Sequence, residues 1–303
     1  MSAQRRSLPR REGPPRWHFQ HGPIDLVIVA EGDAAALAGA VDAAWCRFEA
    51  VLPELVAELP ALRLPIAGPG TSASASARSA SRCPVQGVIA RRMWRACQPF
   101  HASFITPMAA VAGAVAQEIV ACFERDGIRR AWVNNGGDIA LHLAPGESAR
   151  VGVFADLARF DPVAASLRTD ADFVVHALTP VRGIATSGWR GRSFSLGIAD
   201  SVTVLAGCAA QADAAATVIA NAVNVPDARI ERRAANEIRD DSDLGDIEVT
   251  VDVPVLDAAL VAQALRAGQL RARELQRAGL IHSAMLVCQH RFASVEPVAR
   301  SPR

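Results

Sequence analysis

Residues 103–143 read SFITPMAAVAGAVAQEIVACFERDG and then IRRAWVNNGGDIALHL. In the first part, Val111, Val115 and Ile119 recur at the spacing of one helix face, and Pro107 suits the first turn of a helix. In the second part, NNGG separates two apolar-rich runs, and an Asn-Gly turn in that position is a strong hairpin signal. The stretch therefore predicts a helix followed by two antiparallel strands.

The predicted helix carries small side chains along its first turns. Thr106 is a candidate cap for its start. Ala109, Ala112, Gly113 and Ala116 leave its surface nearly bare, so we expect another element to approach the backbone closely there. At the helix start, residues 106–110, free N–H groups and the helix dipole would favour an anion, and the alternative is a capped helix of the core that binds nothing.

The rest of the chain mixes strand-like and helix-like patterns without a regular alternation of the two. Because repeated strand–helix–strand units are absent from the pattern, we expect an α+β fold, with antiparallel sheets packed against helices. Further strands are predicted at 24–30, 150–155, 172–179, 201–205, 247–253 and 281–288, and further helices at 34–52, 208–223 and 256–280.

The predicted organisation is one domain with flexible additions. Residues 1–16 are rich in Arg and Pro and are expected to form a disordered tail. Residues 17–292 are expected to form the domain, in which the small, polar, low-complexity segment 65–82 is predicted to be a mobile loop. Residues 293–303 are expected to be a C-terminal tail. A homodimer formed through paired sheet edges is compatible with such a fold.

The composition excludes several classes of function. Lys+Arg is 32 and Asp+Glu is 31 among 303 residues, a formal net charge of +1, so a nucleic acid partner is not expected. The sequence has no Lys and no Tyr, which excludes Schiff-base chemistry, a Walker Lys and a Lys or Tyr general base. The first sixteen residues lack a secretory signal, and no apolar run reaches the ~20 residues that cross a bilayer. A cytoplasmic protein with no membrane partner is therefore expected.

Asp213 and Thr217 form the first pattern that indicates chemistry. They lie four residues apart in the predicted helix 208–223, so both oxygen-bearing side chains share one helix face among alanines. Hard oxygen ligands of this kind suit Mg²⁺, which takes few protein ligands. The alternative is purely structural: Asp213 would interact with the helix dipole, and Thr217 would bond back to the carbonyl four residues earlier.

The glycine-rich turn is the second such pattern. Gly136 and Gly137 would let backbone N–H groups approach a ligand, and Asp138 could accept a hydrogen bond from a hydroxyl. The alternative is a hairpin turn that binds nothing. The pattern by itself leaves both interpretations, a ligand-binding turn and a simple hairpin turn, open.

A third pattern follows the predicted strand that ends near residue 187. Hydroxyl groups, glycine N–H groups and two guanidinium groups together suit phosphate oxygens. The alternative is a solvated surface loop. The residues concerned are Thr186, Ser187, Gly188, Arg190, Arg192 and Ser193.

Five blocks in a fixed order resemble one family. They are PMAAVAGAVA (107–116), NNGGDI (134–139), ATSGWRGRSFSLGIAD (185–200), SVTVLAG (201–207) and ADAAAT (212–217). Together they resemble the cytoplasmic, largely uncharacterised relatives of ApbE, the FAD:protein FMN transferase, over roughly residues 20–290. The resemblance implies a T-fold-like architecture, FAD as substrate or bound ligand, Mg²⁺ as cofactor, and a target flavoprotein that receives FMN on a Thr.

The resemblance also assigns roles to individual residues. Asp213, Thr217 and the backbone carbonyl of Ala109 match the metal ligands, and Asp200 matches the acid of the family's catalytic segment. The nucleotide-binding residues implied are Gly136, Gly137, Asp138, Thr186, Ser187 and Gly188, with Arg192 and Ser193 beside them.

Two positions depart from the transferase pattern. Gly197 stands where the family has a His tied to transfer, and Ala112 stands where it has a Lys. The sequence therefore predicts a Mg²⁺-dependent protein that binds a flavin nucleotide and either transfers FMN from FAD or splits the FAD pyrophosphate. The alternatives are a flavin- or nucleotide-binding protein or flavoprotein subunit without catalysis, and an interaction module that kept the fold without a ligand.

Overall fold

The computed structural model describes residues 2–8, 13–66, 83–153, 171–191 and 193–298. Over these residues the helices are α1 (Ala34–Ala57), α2 (Leu59–Leu62), α3 (Val88–Cys97), α4 (Val111–Val120), α5 (Ala209–Ala222), α6 (Ala235–Ile238) and α7 (Ala258–Arg277). The strands are β1 (Gln4–Ser7), β2 (Arg16–His21), β3 (Ile24–Gly32), β4 (Ile128–Asn135), β5 (Asp138–Leu143), β6 (Ser148–Val153), β7 (Ala171–His176), β8 (Gly183–Ser187), β9 (Ser201–Ala206), β10 (Glu231–Ala234), β11 (Glu248–Asp252), β12 (Ser283–Cys288) and β13 (Arg291–Val295).

The chain folds into two compact units, where the sequence predicted one domain. The first unit comprises Met1–Ala149, His176–Ile184 and Cys208–Ala214, and the second comprises Arg150–Val175, Ala185–Gly207 and Ala215–Arg303. The chain passes from one unit to the other inside β6, β7, β8 and α5.

An antiparallel sheet organises the first unit. Strands β1 to β5 are neighbours in sequence order, and β5 then pairs with the start of β8. The predicted hairpin is confirmed: Asn135 is opposite Asp138, and Gly136 and Gly137 form the two-residue turn between β4 and β5. Both glycines have positive φ, 66° and 117°, which L-residues with a Cβ rarely adopt.

Helices α1 and α4 cover this sheet and close its core. Helix α4 packs on β4 and β5, and α1 packs on β2, β3 and α4. Phe19 of β2 lies edge-on to Trp45 of α1, with ring centroids 5.1 Å apart, and is fully buried together with Phe48 and Ile119. Burial of each such side chain contributes about 1.5–3 kcal/mol, so the apolar face of α4 fixes its position on the hairpin.

The second unit is also built from antiparallel strands and helices. Strand β12 pairs with β9 on one side and β13 on the other, and β10 pairs with β11 in a separate two-stranded sheet. Helix α7 packs on β12 and β13. The α+β class with antiparallel sheets is therefore confirmed in both units. No helix within the described ranges has the length and apolar character needed to cross a membrane.

The structure corrects the predicted ends of the domain. Residues 4–7, predicted to be disordered, form β1, because their backbone pairs with β2 and Arg5 forms an ion pair with Asp42 (2.8 Å). Strand β13 runs to Val295, past the predicted boundary at residue 292. In the predicted loop 65–82, Ile66 is buried and its N–H donates to Ile105, and residues 67–82 lie outside the described ranges.

A contact at Gly113 explains the small side chains of α4. A Cβ atom at Gly113 would overlap the backbone of Ala209, the first residue of α5. Gly183, the first residue of β8, meets the same backbone, because a Cβ atom there would overlap the nitrogen of Ala209. The expected close approach to α4 is thus confirmed, and its partner is the start of α5.

We expect Gly113→Ala to lower the free energy of unfolding by roughly 1–3 kcal/mol, because the added methyl group meets backbone that cannot move aside. Gly39→Ala in α1 is the matched control. Its Cβ would lie 3.8 Å from the nearest atom, so this exchange should raise stability by about 0.5–1 kcal/mol through helix propensity. Urea unfolding measures both, and equal effects at the two positions would contradict the close contact.

Candidate functional site

Asp213 lies at the centre of the candidate site in the first unit. Its Oδ2 accepts a hydrogen bond from the N–H of Gly113 at 2.9 Å, and the N–H of Ala112 also bonds to this carboxylate. Both donors belong to the first turn of α4, whose N–H groups have no partner within their own helix. Asp213 therefore caps α4 from a neighbouring helix, a role that neither interpretation of the sequence included.

A second carboxylate accompanies Asp213. Asp138 is buried at the start of β5, and its negative charge acts on Asp213. Burial and the charge of Asp138 raise the pKa of Asp213 well above its usual range, although the N–H donors of Gly113 and Ala112 lower it. A cation between two such carboxylates would offset both unfavourable effects.

Asn135 links the hairpin to the same helix start. Its side-chain Nδ2 donates to the carbonyl of Ala112 at 3.1 Å. Asn135 is directly opposite Asp138 in the hairpin register. The NNGGD segment thus places its buried acid next to the first turn of α4. The sequence identified the segment, but the role of Asn135 depends on a helix that precedes it by more than twenty residues.

The other predicted metal ligands lie on the same two helices or beside them. Thr217 is partly buried one turn after Asp213 in α5, so both side chains share a helix face. Ala109 lies in the 3-10 turn Pro107–Ala110 that leads into α4. In a longer α-helix the N–H of Gly113 would bond to the carbonyl of Ala109, but here it donates to Asp213.

The described residues contain no group of three or more His, Cys, Asp or Glu side chains arranged for a metal ion. A site dominated by imidazole or thiolate, as for zinc, therefore finds no support in this part of the chain. A Mg²⁺ site needs only one or two carboxylates, because hydroxyl, carbonyl and water oxygens complete its shell.

The glycine turn is open to solvent. Gly136 and Gly137 are exposed, and no atom lies within 4 Å of a Cβ position at Gly137. The N–H of Gly137 donates to Oδ1 of Asn134 at 2.8 Å, which fixes the turn. The space over this turn can admit a ligand next to the buried Asp138.

In the second unit, the TSG segment packs against Asp200 and the strand β9 that follows it. Thr186 shares a hydrogen bond with Thr203 at 3.0 Å between their hydroxyl oxygens. A Cβ at Gly188 would lie 2.5 Å from the carbonyl oxygen of Asp200, so only Gly fits. The neighbouring Ser187 is partly buried.

The predicted loop that follows this segment is only partly described. Ser193 is exposed on the surface of the second unit. Arg192 lies outside the described ranges, so its predicted contact with a nucleotide stays a prediction. Arg190, two residues earlier, is exposed, and its guanidinium group stacks over the ring of Trp189 at 4.9 Å.

Asp200, the catalytic candidate, is held by two partners. Its Oδ2 accepts the N–H of Gln289 at 2.5 Å, and its Oδ1 lies 3.4 Å from Nε of Arg190. Gln289 and His290 have φ of 45° and 62°, a conformation that costs non-glycine residues roughly 1–2 kcal/mol each. Asp200 therefore stabilises the strained turn between β12 and β13.

Gly197, which the resemblance predicted to stand where the transferases carry a His, is enclosed by backbone. A Cβ at this position would overlap the carbonyl oxygen of Ala220 and lie 2.8 Å from that of Val223. The N–H of Ile198 donates to Val223 at 2.8 Å, which holds the segment against the end of α5. Residue 197 therefore has no room for a side chain in this protein.

A family model described as AbpE bacteria matches residues 5–295 of the chain. The chain belongs to this family. It is a member of the ApbE-like superfamily, as its motifs indicated.

Curated archaeal relatives match part of the chain. A UPF0280 protein of Methanothermobacter thermautotrophicus is 40% identical over 141 residues, 46% of this chain and 50% of the relative. A UPF0280 protein of Methanothrix thermoacetophila is 38% identical over 144 residues, 47% of this chain and 55% of the relative. The chain thus spans about half the length of these relatives.

Solved structures resemble the chain at low sequence identity. The flavinyl transferase ApbE of Pseudomonas stutzeri, in its apo form, is 12% identical with a TM-score of 0.40, and the match covers 97% of this chain and 94% of that one. The flavin transferase ApbE of Vibrio cholerae is 14% identical with a TM-score of 0.35, and 97% of each chain is covered.

We expect Gly197→His to lower the free energy of unfolding by roughly 3 kcal/mol or more, because the imidazole must displace two backbone segments. The same exchange at the exposed helical position, Gly39→His, is the control and should change stability by less than about 1 kcal/mol. Chemical denaturation with a fluorescence readout compares the two. A stable Gly197→His protein would show that this segment moves freely.

Proposed function

We propose that this protein binds a flavin nucleotide, FAD, together with Mg²⁺, and that its reaction, where it has one, breaks the FAD pyrophosphate. The single observation that carries the proposal is that Asp213 and the hairpin with the buried Asp138 both bond to the first turn of α4, Asp213 through the N–H of Gly113 and the hairpin through Asn135. Membership of the ApbE-like superfamily supports flavin as the organic part of the ligand.

The residues present fit a divalent cation. Asp213 supplies a carboxylate whose burial disfavours its negative charge, and Asp138 adds a second negative charge nearby. Thr217 and the carbonyl of Ala109 would complete the protein ligands, as the family motif implies. Mg²⁺ at this point would supply charge neutralisation to pyrophosphate oxygens.

The chain's own residues would orient the nucleotide. Gly136 and Gly137 leave an open space beside Asp138, which suits a ribose or phosphate group. In the second unit, Thr186, Ser187, Gly188 and Ser193 are the proposed contacts to the flavin nucleotide, with Arg192 as a further candidate. The N–H groups at the start of α4 hold Asp213 in place, so its orientation does not depend on the ligand.

Transfer to a target flavoprotein would need a proton acceptor. A Thr hydroxyl would attack the FMN phosphorus, the bond to the AMP phosphate would break, AMP would leave with the electron pair, and the hydroxyl proton would pass to a base. Water in place of Thr gives FMN and AMP by hydrolysis. Asp200 is the remaining candidate base, and its bonds to Gln289 and Arg190 disfavour that role.

A second candidate function is flavin-nucleotide binding without catalysis. The observation that favours it is the enclosure of Gly197 by the carbonyls of Ala220 and Val223, which excludes the family His. Under this proposal the protein is a carrier or a flavoprotein subunit. A cytoplasmic location and a homodimer are parts of the proposal in either case, and a target flavoprotein is part of it only where FMN is transferred.

Ligand binding is tested by thermal unfolding with FAD, Mg²⁺ or both. FAD at about a hundred times its Kd should add ~2.7 kcal/mol of stability, and the gain should require Mg²⁺. Asp213→Asn keeps an oxygen that accepts the Gly113 N–H but removes the charge, so the protein should fold and lose the gain. Asp126→Asn, at an exposed position of the first unit, is the control. If FAD with Mg²⁺ stabilised Asp213→Asn as much as it stabilises the unchanged protein, the proposed cation site would be refuted.

Catalysis is tested separately by incubation with FAD and Mg²⁺, followed by chromatography for AMP. Release of AMP that Asp213→Asn abolishes would establish pyrophosphate cleavage, and release only with an added flavoprotein acceptor would establish transfer. Because Gly197 excludes the family His, we expect release to be at least about a hundredfold slower than in a transferase that carries it. Binding without release of AMP would establish the second candidate function.

A further inference from the structure

A cavity of about 410 Å³ lies in the first unit, between α3, α4 and the start of α5. A volume of this size suits a small organic ligand. Three of its lining residues are arginines of α3, Arg91, Arg92 and Arg95. The other lining residues are Val88, Ala96, Pro99, Gln117, Cys208, Ala210 and Gln211.

Arg92 is already neutralised. Its Nη1 lies 2.7 Å from Oε2 of Glu118, which also pairs with Arg47, and Arg47 in turn pairs with Glu54. Two guanidinium groups therefore balance two carboxylates in this network. Burial tends to raise the pKa of Glu118, but the hydrogen bonds from Arg47 and Arg92 outweigh it, so this carboxylate is ionised at neutral pH.

Arg91 and Arg95 are the cavity-lining arginines whose positive charges are not balanced by a carboxylate. Within the described ranges neither guanidinium group forms an ion pair, whereas Arg92 on the same helix does. Arg91 and Arg95 are four residues apart in α3, so they share a helix face. The cavity thus has a local excess of two positive charges, in a chain whose formal net charge is only +1.

Neutral polar groups and apolar groups complete the lining. The side-chain amides of Gln117 and Gln211 add hydrogen-bonding groups, although Oε1 of Gln117 already accepts the N–H of Ala210 at 3.4 Å. The positive end of the dipole of the fourteen-residue helix α5 favours an anion. Val88, which is half exposed, and Ala96 and Pro99 supply apolar surface to the lining. The lining therefore matches a ligand that combines an anionic group with an apolar part.

We propose that this cavity binds a small organic phosphate, with its phosphoryl group held by Arg91 and Arg95. Guanidinium groups bind phosphate oxygens through paired, charge-assisted hydrogen bonds, which distinguishes this ligand from a neutral one. The site is separate from the carboxylates of Asp213 and Asp138, which repel an anion in the absence of a cation. The proposal of a phosphate site in this cavity does not depend on the proposed flavin function.

Naphthyl phosphate is a suitable probe, because it joins a phosphoryl group to a fluorescent apolar ring. Titration in EDTA, with no divalent cation present, should saturate with a Kd below about 1 mM. Arg91→Gln and Arg95→Gln should each raise the Kd roughly tenfold, because each removes a charge-assisted contact. Inorganic phosphate should bind more weakly than the probe, since it lacks the apolar part.

Two control variants test whether the probe binds in this cavity and not at a distant charge or at the carboxylates. Arg266→Gln removes a charge from an exposed position of α7 and should leave the Kd unchanged. Asp213→Asn should also leave it unchanged, even if the flavin proposal fails. Thermal unfolding confirms that each variant is folded. Absence of saturation up to about 10 mM, or an equal loss in Arg266→Gln or Asp213→Asn, would overturn the proposal.

Discussion

The hydrogen bond from the Gly113 N–H to the Asp213 carboxylate is the constraint on which the candidate site depends. It joins the first turn of α4 to the second turn of α5, next to the point where Gly113 lets the backbone of Ala209 approach closely. The same carboxylate thereby gains a fixed orientation beside the buried Asp138. A structural cap and a candidate cation ligand are thus the same group, and the two roles are compatible because a carboxylate has two oxygens.

Local patterns in the sequence were sufficient for the elements that carry this site. The burial of Val115 and Ile119 and the turn at Gly136 and Gly137 follow from helix periodicity and from the conformational freedom of glycine. The partner of Gly113 could not be inferred, because Asp213 is a hundred residues away in the chain. Backbone N–H donors also leave no side-chain signal in a sequence.

The ends of the chain show a different limit of sequence reasoning. Arg and Pro in the first sixteen residues predicted disorder, whereas residues 4–7 form an edge strand. Edge pairing uses backbone groups, and exposed side chains on such a strand are polar in either state. The charge balance was equally hidden: Arg47 and Arg92 are neutralised by Glu54 and Glu118, and only folding reveals which guanidinium groups are left over.

The packing at Gly197 limits what this position can carry. A side chain at residue 197 would require Ala220 and Val223 to move first, because their carbonyl oxygens lie where a Cβ would be placed. A reacting side chain in this part of the second unit therefore has to come from a neighbouring position. The glycine sets the spacing between the segment that leads to Asp200 and the end of α5, so the position of that carboxylate depends on a residue without a side chain.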